Sequence, residues 1–551
     1  MILFLFLLAA VLFFLGYRFY GKWQAKLYEL NEKNKTPASE LYDGIDYVPT
    51  HPFVLLGHHF SSIAGAGPIV GPITAAALFG WLPAYLWIVI GSIFIGGVHD
   101  FGAIVGSIRN KGLSVVELVN RYVGKRAKVL FNAFAWFALV LVVAAFLELA
   151  AGSFAGDPAV AWSAVLYIVF AVIFGILVYR LRLPLLWVTI IMLPVLIGSI
   201  FIGNYTPWIQ EAFKFDVNTW RWILVIYIAF ASVLPVWLLL QPRDYLSSWF
   251  LYSSLAIATL GILFGGTKFS VNLPAFKGWY GGGINYLWPM LFITVACGAI
   301  SGFHSLVGSG TTAKQIRKET DAKLIGYGGM LIEGVVAVVA LITVMMAGKI
   351  LSPGPGLPAN PQYTYGVGFA KFWSLFGLPE KVGISFGMFA LNTFILTSLD
   401  TATRLGRYQL QELTFNKLDK YTSTVITILG ALVLVFMKSG QTPIWKLIWP
   451  VFGSANQLTA GLALLGITAF ILKGLKKKAW FTTIPMIFMI ATTIVALILL
   501  ARTNLKGATL PLGIMSVILV VLAVWLVVEA YFALVVKKTT KEVTKKAEEK
   551  A

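Results

Sequence analysis

Histidine is the side chain that most readily gains and loses a proton near physiological pH, and this chain of 551 residues has only five copies. Each lies in or beside a Gly-rich or charge-bearing motif, at His51, His58, His59, His99 and His304. We expect His58, His99 and His304 to take part in proton coupling. The alternative is that these histidines are helix-packing donors bonded to backbone or Ser partners.

The first of two Gly-rich segments runs from residue 51 to residue 83 and is apolar enough to enter a membrane. Its glycines cost helix stability, and Pro68 and Pro72 each remove an intrahelical hydrogen bond. Broken backbone in a bilayer is tolerated only where protein or a water-filled cavity satisfies the freed groups, and transporters bind substrate there. The segment therefore predicts substrate contacts from His58, His59, Ser61, Gly65, Gly67, Pro68 and Gly71.

The second Gly-rich segment, residues 297–316, repeats these ingredients with glycines, hydroxyls and a histidine. It is predicted to cross the membrane in the opposite direction to the first, as an inverted-repeat carrier requires. Amides freed at half-helix N-termini around 65–71 and 301–310 suit a substrate carboxylate. Close packing through small residues is the alternative, and it explains Gly and Ser but not Pro68, Pro72 or His304. The predicted substrate contacts are Ser301, His304, Ser309 and Thr311.

Acidic residues within apolar runs need a partner or a role, because a charge at a helix centre costs about 2.5–3.5 kcal/mol on insertion scales. Asp100 follows His99, but neighbours on a helix point in different directions, so their spacing does not predict a His–Asp dyad. Asp400 and Arg404 are four residues apart, and this spacing predicts a structural ion pair. Asp100 and Asp400 are also candidates for proton coupling, and Glu333 is a further intramembrane acid.

Hydroxyl side chains surround Asp400 in the sequence. Thr397, Ser398 and Thr401 could form a sodium site together with backbone carbonyls. The commoner behaviour of such hydroxyls is to bond back to their own helix. Farther along, Asn456 and Gln457 are interpreted as polar groups that hold helices together.

Composition narrows the class of protein. Hydrophobic residues make up 58% of the chain and charged residues 12%, whereas soluble domains are about 25% charged, so we expect an all-α polytopic membrane protein. The single cysteine, Cys297, excludes a disulfide framework and a cysteine-based zinc or iron–sulfur centre. Phosphate-binding loops and hydrolase motifs are missing from the sequence. We therefore expect neither an enzyme nor an ATP-driven pump, and no cofactor, resident metal or nucleic-acid partner.

Apolar runs of 18–28 residues predict about fifteen transmembrane helices and no separate soluble domain. With the N-terminus outside and the C-terminus inside, about three quarters of the 43 Lys and Arg residues face the cytoplasm. The net charge of +20 is then a consequence of topology and of contact with anionic membrane lipids. The predicted location is the cytoplasmic (inner) membrane of a bacterium.

Long motifs spread over most of the chain resemble the carbon starvation protein A (CstA) family of transporters. They are FYGK (19–22), DGIDYVPT (43–50), GHHFSSIAGAGPIVGP (57–72), LPVWLLLQPRDYLS (234–247), CGAISGFHSLVGSGTT (297–312) and SLDTATRLGR (398–407). The resemblance implies a LeuT-like (APC-type) inverted-repeat secondary carrier with broken helices. It also implies a transporter core over 1–380, a C-terminal five-helix-like segment over 381–500, and a last helix with a basic cytoplasmic tail over 501–551.

The family is associated with starvation-responsive uptake of peptides, and some relatives take up pyruvate. The resemblance thus implies secondary active import of short peptides or of a small carboxylate such as pyruvate, coupled to protons. Sodium coupling through the Ser/Thr group is the alternative within the carrier class. A channel and a non-transporting nutrient sensor are the alternatives outside it. The sequence leaves the oligomeric state open.

Overall fold

The computed structural model describes residues 1–44, 46–235, 238–354, 358–437 and 442–533. The predicted basic tail over 537–551 lies outside the described residues, as do positions 236 and 237 of the LPVWLLLQPRDYLS motif. Over the described ranges the secondary structure is helical, with two isolated bridges, Thr50–Ile316 and Tyr280–Tyr286, as the sole β-type pairings.

The described helices of eight or more residues are named α1 to α19 in chain order. They are α1 (Ile2–Leu27), α2 (Pro52–Ile63), α3 (Gly67–Phe79), α4 (Trp81–Arg109), α5 (Val115–Tyr122), α6 (Lys125–Gly156), α7 (Pro158–Arg180), α8 (Leu185–Tyr205), α9 (Val217–Ala231), α10 (Leu240–Gly265), α11 (Leu287–Thr294), α12 (Gly302–Gly310), α13 (Lys323–Ala347), α14 (Pro361–Ser374), α15 (Glu380–Leu413), α16 (Lys420–Val435), α17 (Ile444–Gly474), α18 (Trp480–Asn504) and α19 (Leu510–Tyr531).

Among the described residues, 11 helices are long and apolar enough to cross a membrane, and the bent pair α2–α3 brings the number to at most 12. The chain is thus an all-helical, multi-pass membrane protein. The three further spans predicted from the sequence fall on shorter elements. α9 and α16 have 15 and 16 residues, and the third is divided into α11 and α12. A straight helix needs about 20 residues to cross the hydrocarbon core, so length alone does not make these elements spans.

Burial separates inner helices from outer ones. In α15 and α17, 94% of the most apolar stretch is buried inside the protein, against 33% in α1, α8 and α19. The outer helices turn apolar side chains toward the membrane, where they need no protein partner. A binding site inside the protein would therefore be lined by α15 and α17, together with α4, α6 and α13.

The first broken helix consists of α2 and α3, which meet at a bend of 48°. α2 ends at Ile63, Ala64 has non-helical backbone angles, and α3 resumes at Gly67. Pro68 lies in the first turn of α3, where a missing N–H costs nothing, and Pro72 lies inside that helix. The interruption is therefore confined to residues 64–66 and is shorter than the prolines and glycines predicted.

The second broken helix consists of α11 and α12, separated by residues 295–301. The two broken helices touch through glycine. A Cβ on Gly67 would lie 2.5 Å from Cys297 Cβ, and one on Gly71 would lie 2.6 Å from the Thr294 carbonyl oxygen. Both glycines thus permit close backbone approach, which is the packing role that the sequence left open.

Candidate substrate and proton site

Two groups of buried ionisable side chains lie beside α2, which packs against α12 and α13 and also against α10 and α15. We call the first group the histidine–acid cluster; it comprises His59, His99, Asp100, His304 and Glu333. We call the second group the arginine–aspartate cluster; it comprises Tyr227, Arg243, Asp244 and Asp400.

The histidine–acid cluster is a chain of close polar contacts in the protein interior. Each carboxylate oxygen of Asp100 contacts the imidazole of a different histidine. His99 Nδ1 lies 2.7 Å from Oδ1, and His304 Nδ1 lies 2.8 Å from Oδ2. His304 Nε2 lies 3.1 Å from a Glu333 carboxylate oxygen. All four side chains are at most 1% exposed, so water does not compete for these contacts.

His59 belongs to the same region but is bonded separately. Its Nδ1 lies 2.8 Å from the Thr312 hydroxyl, and its ring lies against Gly329 of α13 and near Gly308 of α12. The ring is close enough to Asp100 and His304 for an electrostatic interaction. Its Nε2 lacks a hydrogen-bond partner in the described structure, as does Nε2 of His99. Both atoms are therefore free to accept or donate a proton.

This geometry overturns the inference that His99 and Asp100 are not a pair. Adjacent residues on a helix leave its axis about 100° apart, but the Asp100 carboxylate reaches sideways to the neighbouring imidazole. The cluster can hold a variable number of protons, because its members interact directly and none carries a permanent charge. His304 thus lies between two acids, hydrogen-bonded to Asp100 and 3.1 Å from a Glu333 carboxylate oxygen, which places all three side chains within reach of one proton.

The residues between the broken helices are bonded to one another and to α17. Ser301 Oγ donates to Asn456 Oδ1 over 3.2 Å, and the Phe303 amide donates to the same oxygen over 3.1 Å. Cys297 Sγ donates to Ser301 Oγ over 3.4 Å. Asn456 therefore occupies part of the amide array at the start of α12 that was expected to receive a substrate carboxylate, and it holds α12 against α17.

Cys297, His304 and Glu333 place one potential metal-ligand atom each within 4.8 Å of one another. The sequence predicted no metal site, and these side chains already have partners. His304 contacts Asp100 and Glu333, and Cys297 donates to Ser301. A metal ion would have to displace the His304–Glu333 contact.

The arginine–aspartate cluster replaces the predicted ion pair between Asp400 and Arg404. Asp400 contacts the guanidinium of Arg243 on α10 instead, and it accepts a hydrogen bond of 2.6 Å from Tyr227. Arg404 donates to the carbonyl oxygens of Ala231 and Leu234 at the end of α9. The i, i+4 spacing allowed the predicted pair, but unpaired carbonyls at a helix end and an arginine from another helix are better placed.

The other predicted site residues fall into three groups. His58 is half-buried on the α10 side of α2, within electrostatic reach of Asp244, and a Cβ on Gly65 would lie 2.8 Å from Ser398 Oγ. Several hydroxyls bond back to their own helices: Ser61, Ser309, Thr311 and Thr397. Pro68 is buried in α3 and Thr401 is half-buried on α15, and neither belongs to a cluster.

Sequence reasoning gave no role to Tyr227, Arg243 and Asp244, and it gave Glu333 no partner. Arg243 is fully buried and lies within the LPVWLLLQPRDYLS motif, yet it was given no role. A lone arginine at the entry to an apolar run was the available signal. Glu333 was noted as an intramembrane acid, but its contact with His304 joins residues 29 positions apart and has no local signature.

An all-helical, multi-pass membrane fold with broken helices and buried ionisable groups is typical of secondary transporters. The chain belongs to the carbon starvation protein CstA family, because the sequence model of that family matches residues 1–352 and 356–496. It is 32% identical to the peptide transporter CstA of Helicobacter pylori, over 88% of this chain and 80% of that protein. It is 31% identical to the pyruvate/proton symporter BtsT of Escherichia coli, with the same coverage of both chains.

Among solved structures, the chain is similar to MhsT in complex with L-phenylalanine. The TM-score is 0.46 at 16% sequence identity, with 88% of this chain and 99% of that chain covered.

Proposed function

We propose that this protein is a secondary active importer of short peptides or of a small carboxylate such as pyruvate, and that protons drive the import. The observation that carries the proposal is the buried chain from His99 through Asp100 and His304 to Glu333, which lies beside Cys297, the residue that Gly67 of the first broken helix approaches. The names of the two relatives supply the substrate classes. The family description supports a role in nutrient uptake during carbon starvation.

In this proposal the histidine–acid cluster conducts the coupling proton. His304 contacts a carboxylate on both sides of its ring, so it can receive a proton from one and deliver it to the other after a small movement. The substrate lies beside the breaks at residues 64–66 and 295–301, and it is reached from alternate sides as one group of helices rocks against the other. His58, Asp100 and Asp400 remain in the proposed coupling set.

The proposed topology has fifteen spans. The bent pair α2–α3 is counted as one span, and so is the pair α11–α12. The short helices α9 and α16 are each counted as one span. The N-terminus lies outside and the C-terminus inside the bacterial cytoplasmic membrane. The excess of Lys and Arg in the loops that then face the cytoplasm supports this orientation, and those residues contact anionic lipids. In this topology the two broken helices run in opposite directions, as a LeuT-like inverted repeat requires. We also propose that the chain divides into a transporter core over 1–380, a C-terminal five-helix-like segment over 381–500, and a last helix with a basic tail over 501–551.

Sodium coupling is the second candidate, and one observation favours it. Ser398 Oγ lies against Gly65 in the first break, where backbone carbonyls leave the helical pattern, and neither Ser398 nor Thr401 shows a hydrogen bond back to its helix. Hydroxyl and carbonyl oxygens are ligands that hard cations accept.

Uptake by proteoliposomes tests the proposal. Radiolabelled pyruvate and a radiolabelled tripeptide are offered separately, each under an inward proton gradient or an inward sodium gradient. We expect accumulation of one of them under the proton gradient alone. Accumulation only with sodium would transfer coupling to the Ser398 region. Binding without flux would favour the sensor, and conductance without accumulation would favour the channel.

A further inference from the structure

The arginine–aspartate cluster contains a fully buried positive charge. Arg243 has no exposed surface, and its guanidinium contacts Asp400, the Tyr227 hydroxyl at 3.0 Å and Asp244 at 3.2 Å. The Tyr167 hydroxyl donates to the Arg243 carbonyl oxygen over 2.6 Å and fixes the backbone at this point. The cluster thus joins α7, α9, α10 and α15 around one cation.

The Arg243–Asp400 ion pair has fewer hydrogen bonds than a purely structural buried ion pair needs. Arg243 Nε and Asp400 Oδ1 are both buried and lack a hydrogen-bond partner in the described structure. Buried polar atoms are normally paired, and a buried ion pair is favourable only when its remaining hydrogen-bonding groups are satisfied. The Nε edge of the guanidinium therefore has capacity for one more acceptor. A guanidinium edge matches a carboxylate, which it binds through two parallel hydrogen bonds.

The cluster adjoins the first broken helix. Ser398 on α15 faces Gly65 in the break, and Asp400, two residues later, leaves the other face of that helix. On α10, the Tyr252 hydroxyl would lie 2.6 Å from a Cβ on Gly57, and Asp244 is within electrostatic reach of His58. The His58 side of α2 therefore faces the end of α10 that carries Arg243 and Asp244.

We propose that Arg243 binds the carboxylate of the transported substrate and that Asp400 holds the coupling proton while the carboxylate is bound. This inference rests on the proposed function and names the groups that its site uses. Arg243 already faces two carboxylates, so a third would leave excess negative charge in a water-excluded environment. Protonation of Asp400 offsets the charge that the substrate carboxylate adds. Asp400 takes one proton as the substrate enters and gives it up after the substrate leaves, when it pairs with Arg243 again.

Neighbouring groups define the pH dependence. The charged or titratable groups that packed helices contribute around Asp400 are His58 (α2, through Asp244), Tyr167 (α7), Tyr227 (α9), and Arg243 and Asp244 (α10), with Arg404 on its own helix. Glu148 of α6 is engaged elsewhere, by two hydrogen bonds of 2.8 Å to Arg221. Among these groups, Asp400 is the acid that contacts the guanidinium with one oxygen and leaves the other unpartnered.

The experiment measures binding of radiolabelled pyruvate, trialanine and trialanine amide to the full-length protein in detergent at several pH values. For the unaltered protein, we expect the Kd of the peptide with a free carboxylate to rise about tenfold per pH unit above neutrality, because one proton is bound with it. Asp400→Asn should bind this peptide with no such dependence and should exchange it across proteoliposomes without accumulating it.

Arg243→Gln alone leaves a buried unpaired carboxylate and can fail to fold, so the informative variant is Arg243→Gln with Asp400→Asn, which removes both charges together. We expect it to bind the carboxylate probes ~100-fold more weakly than Asp400→Asn, with binding of trialanine amide unchanged. The matched control, Glu148→Gln with Arg221→Gln, removes another buried ion pair and should keep the affinity and pH dependence of the unaltered protein.

Equal affinity of the double variant and Asp400→Asn for both carboxylate probes would overturn the role of Arg243. A pH dependence that persists in Asp400→Asn would overturn the role of Asp400. Failure of the unaltered protein to bind or accumulate either probe would instead overturn the proposed function, and this inference with it. Trialanine amide separates the two cases, because it reports an intact peptide site when the carboxylate contact is lost.

Discussion

The histidine–acid cluster and the arginine–aspartate cluster both border one short helix, α2, and are built from different chemistry. In the first, His99, Asp100, His304 and Glu333 form a row in which every group can change its charge. In the second, Arg243 carries a permanent charge around which acids and phenols gather.

This difference suits two separate tasks. A row of titratable groups with no fixed charge can conduct protons, but it gives an anion no constant attraction. A buried guanidinium attracts a carboxylate at every physiological pH, but it cannot conduct protons. His58 and His59 are adjacent on α2 and turn toward different clusters, so a shift of that helix affects both. We therefore predict that substitutions in the two clusters have different effects on proton-driven uptake and on substrate binding.

The largest effect is expected from Arg243→Gln. It leaves Asp400 buried without its cation, and breaking one side of a buried ion pair costs about 3–5 kcal/mol. The free energy of unfolding in detergent should fall by that amount, and uptake should be abolished. Adding Asp400→Asn should recover most of the stability but not the uptake of carboxylate substrates. If the single variant is as stable as the unaltered protein, the pair is not the buried contact described above.

Gly67→Ala tests the contact between the two broken helices, which both clusters border. The new methyl group would overlap Cys297, and such overpacking typically costs about 1–3 kcal/mol. We expect lower thermal stability and slower uptake of every substrate, without a change in pH dependence. Gly198→Ala is the matched control, because beyond its own helix turn no atom of the protein lies within 4 Å of the added Cβ. Equal behaviour of the two variants would contradict the close approach.

His304→Ala breaks the histidine–acid cluster at its centre. It leaves oxygens of Asp100 and Glu333 without their partner, at a cost of about 1–3 kcal/mol. Accumulation driven by a proton gradient should fall toward equilibration, whereas counterflow exchange of the substrate and its Kd should change little. A variant that accumulates substrate at the rate of the unaltered protein would remove His304 from the proton path.

The sequence predicted the helical membrane fold, the family and the position of both broken helices, because apolar length and Gly/Pro content are local properties. It could not predict partners that only packing brings together. Asp400 had a plausible local partner in Arg404, but it contacts Arg243, 157 positions earlier in the chain. The sequence also could not predict how many residues each break contains, because Pro68 and Pro72 are accommodated within α3.

Glu333→Gln is expected to give the smallest structural effect and the sharpest separation of the two clusters. The amide keeps the shape of the carboxylate and removes its charge, so stability should change by less than about 1 kcal/mol. The Kd of a carboxylate substrate and its pH dependence should be unchanged, because Arg243 and Asp400 are untouched. The rate of proton-driven uptake should fall, because the acid at the end of the row can no longer exchange a proton with His304. Binding measured in detergent, and initial uptake rates measured in proteoliposomes on the same preparation, check both expectations. A shift in Kd without a change in rate would reverse the assignment, making the histidine–acid cluster part of the substrate site rather than the proton path.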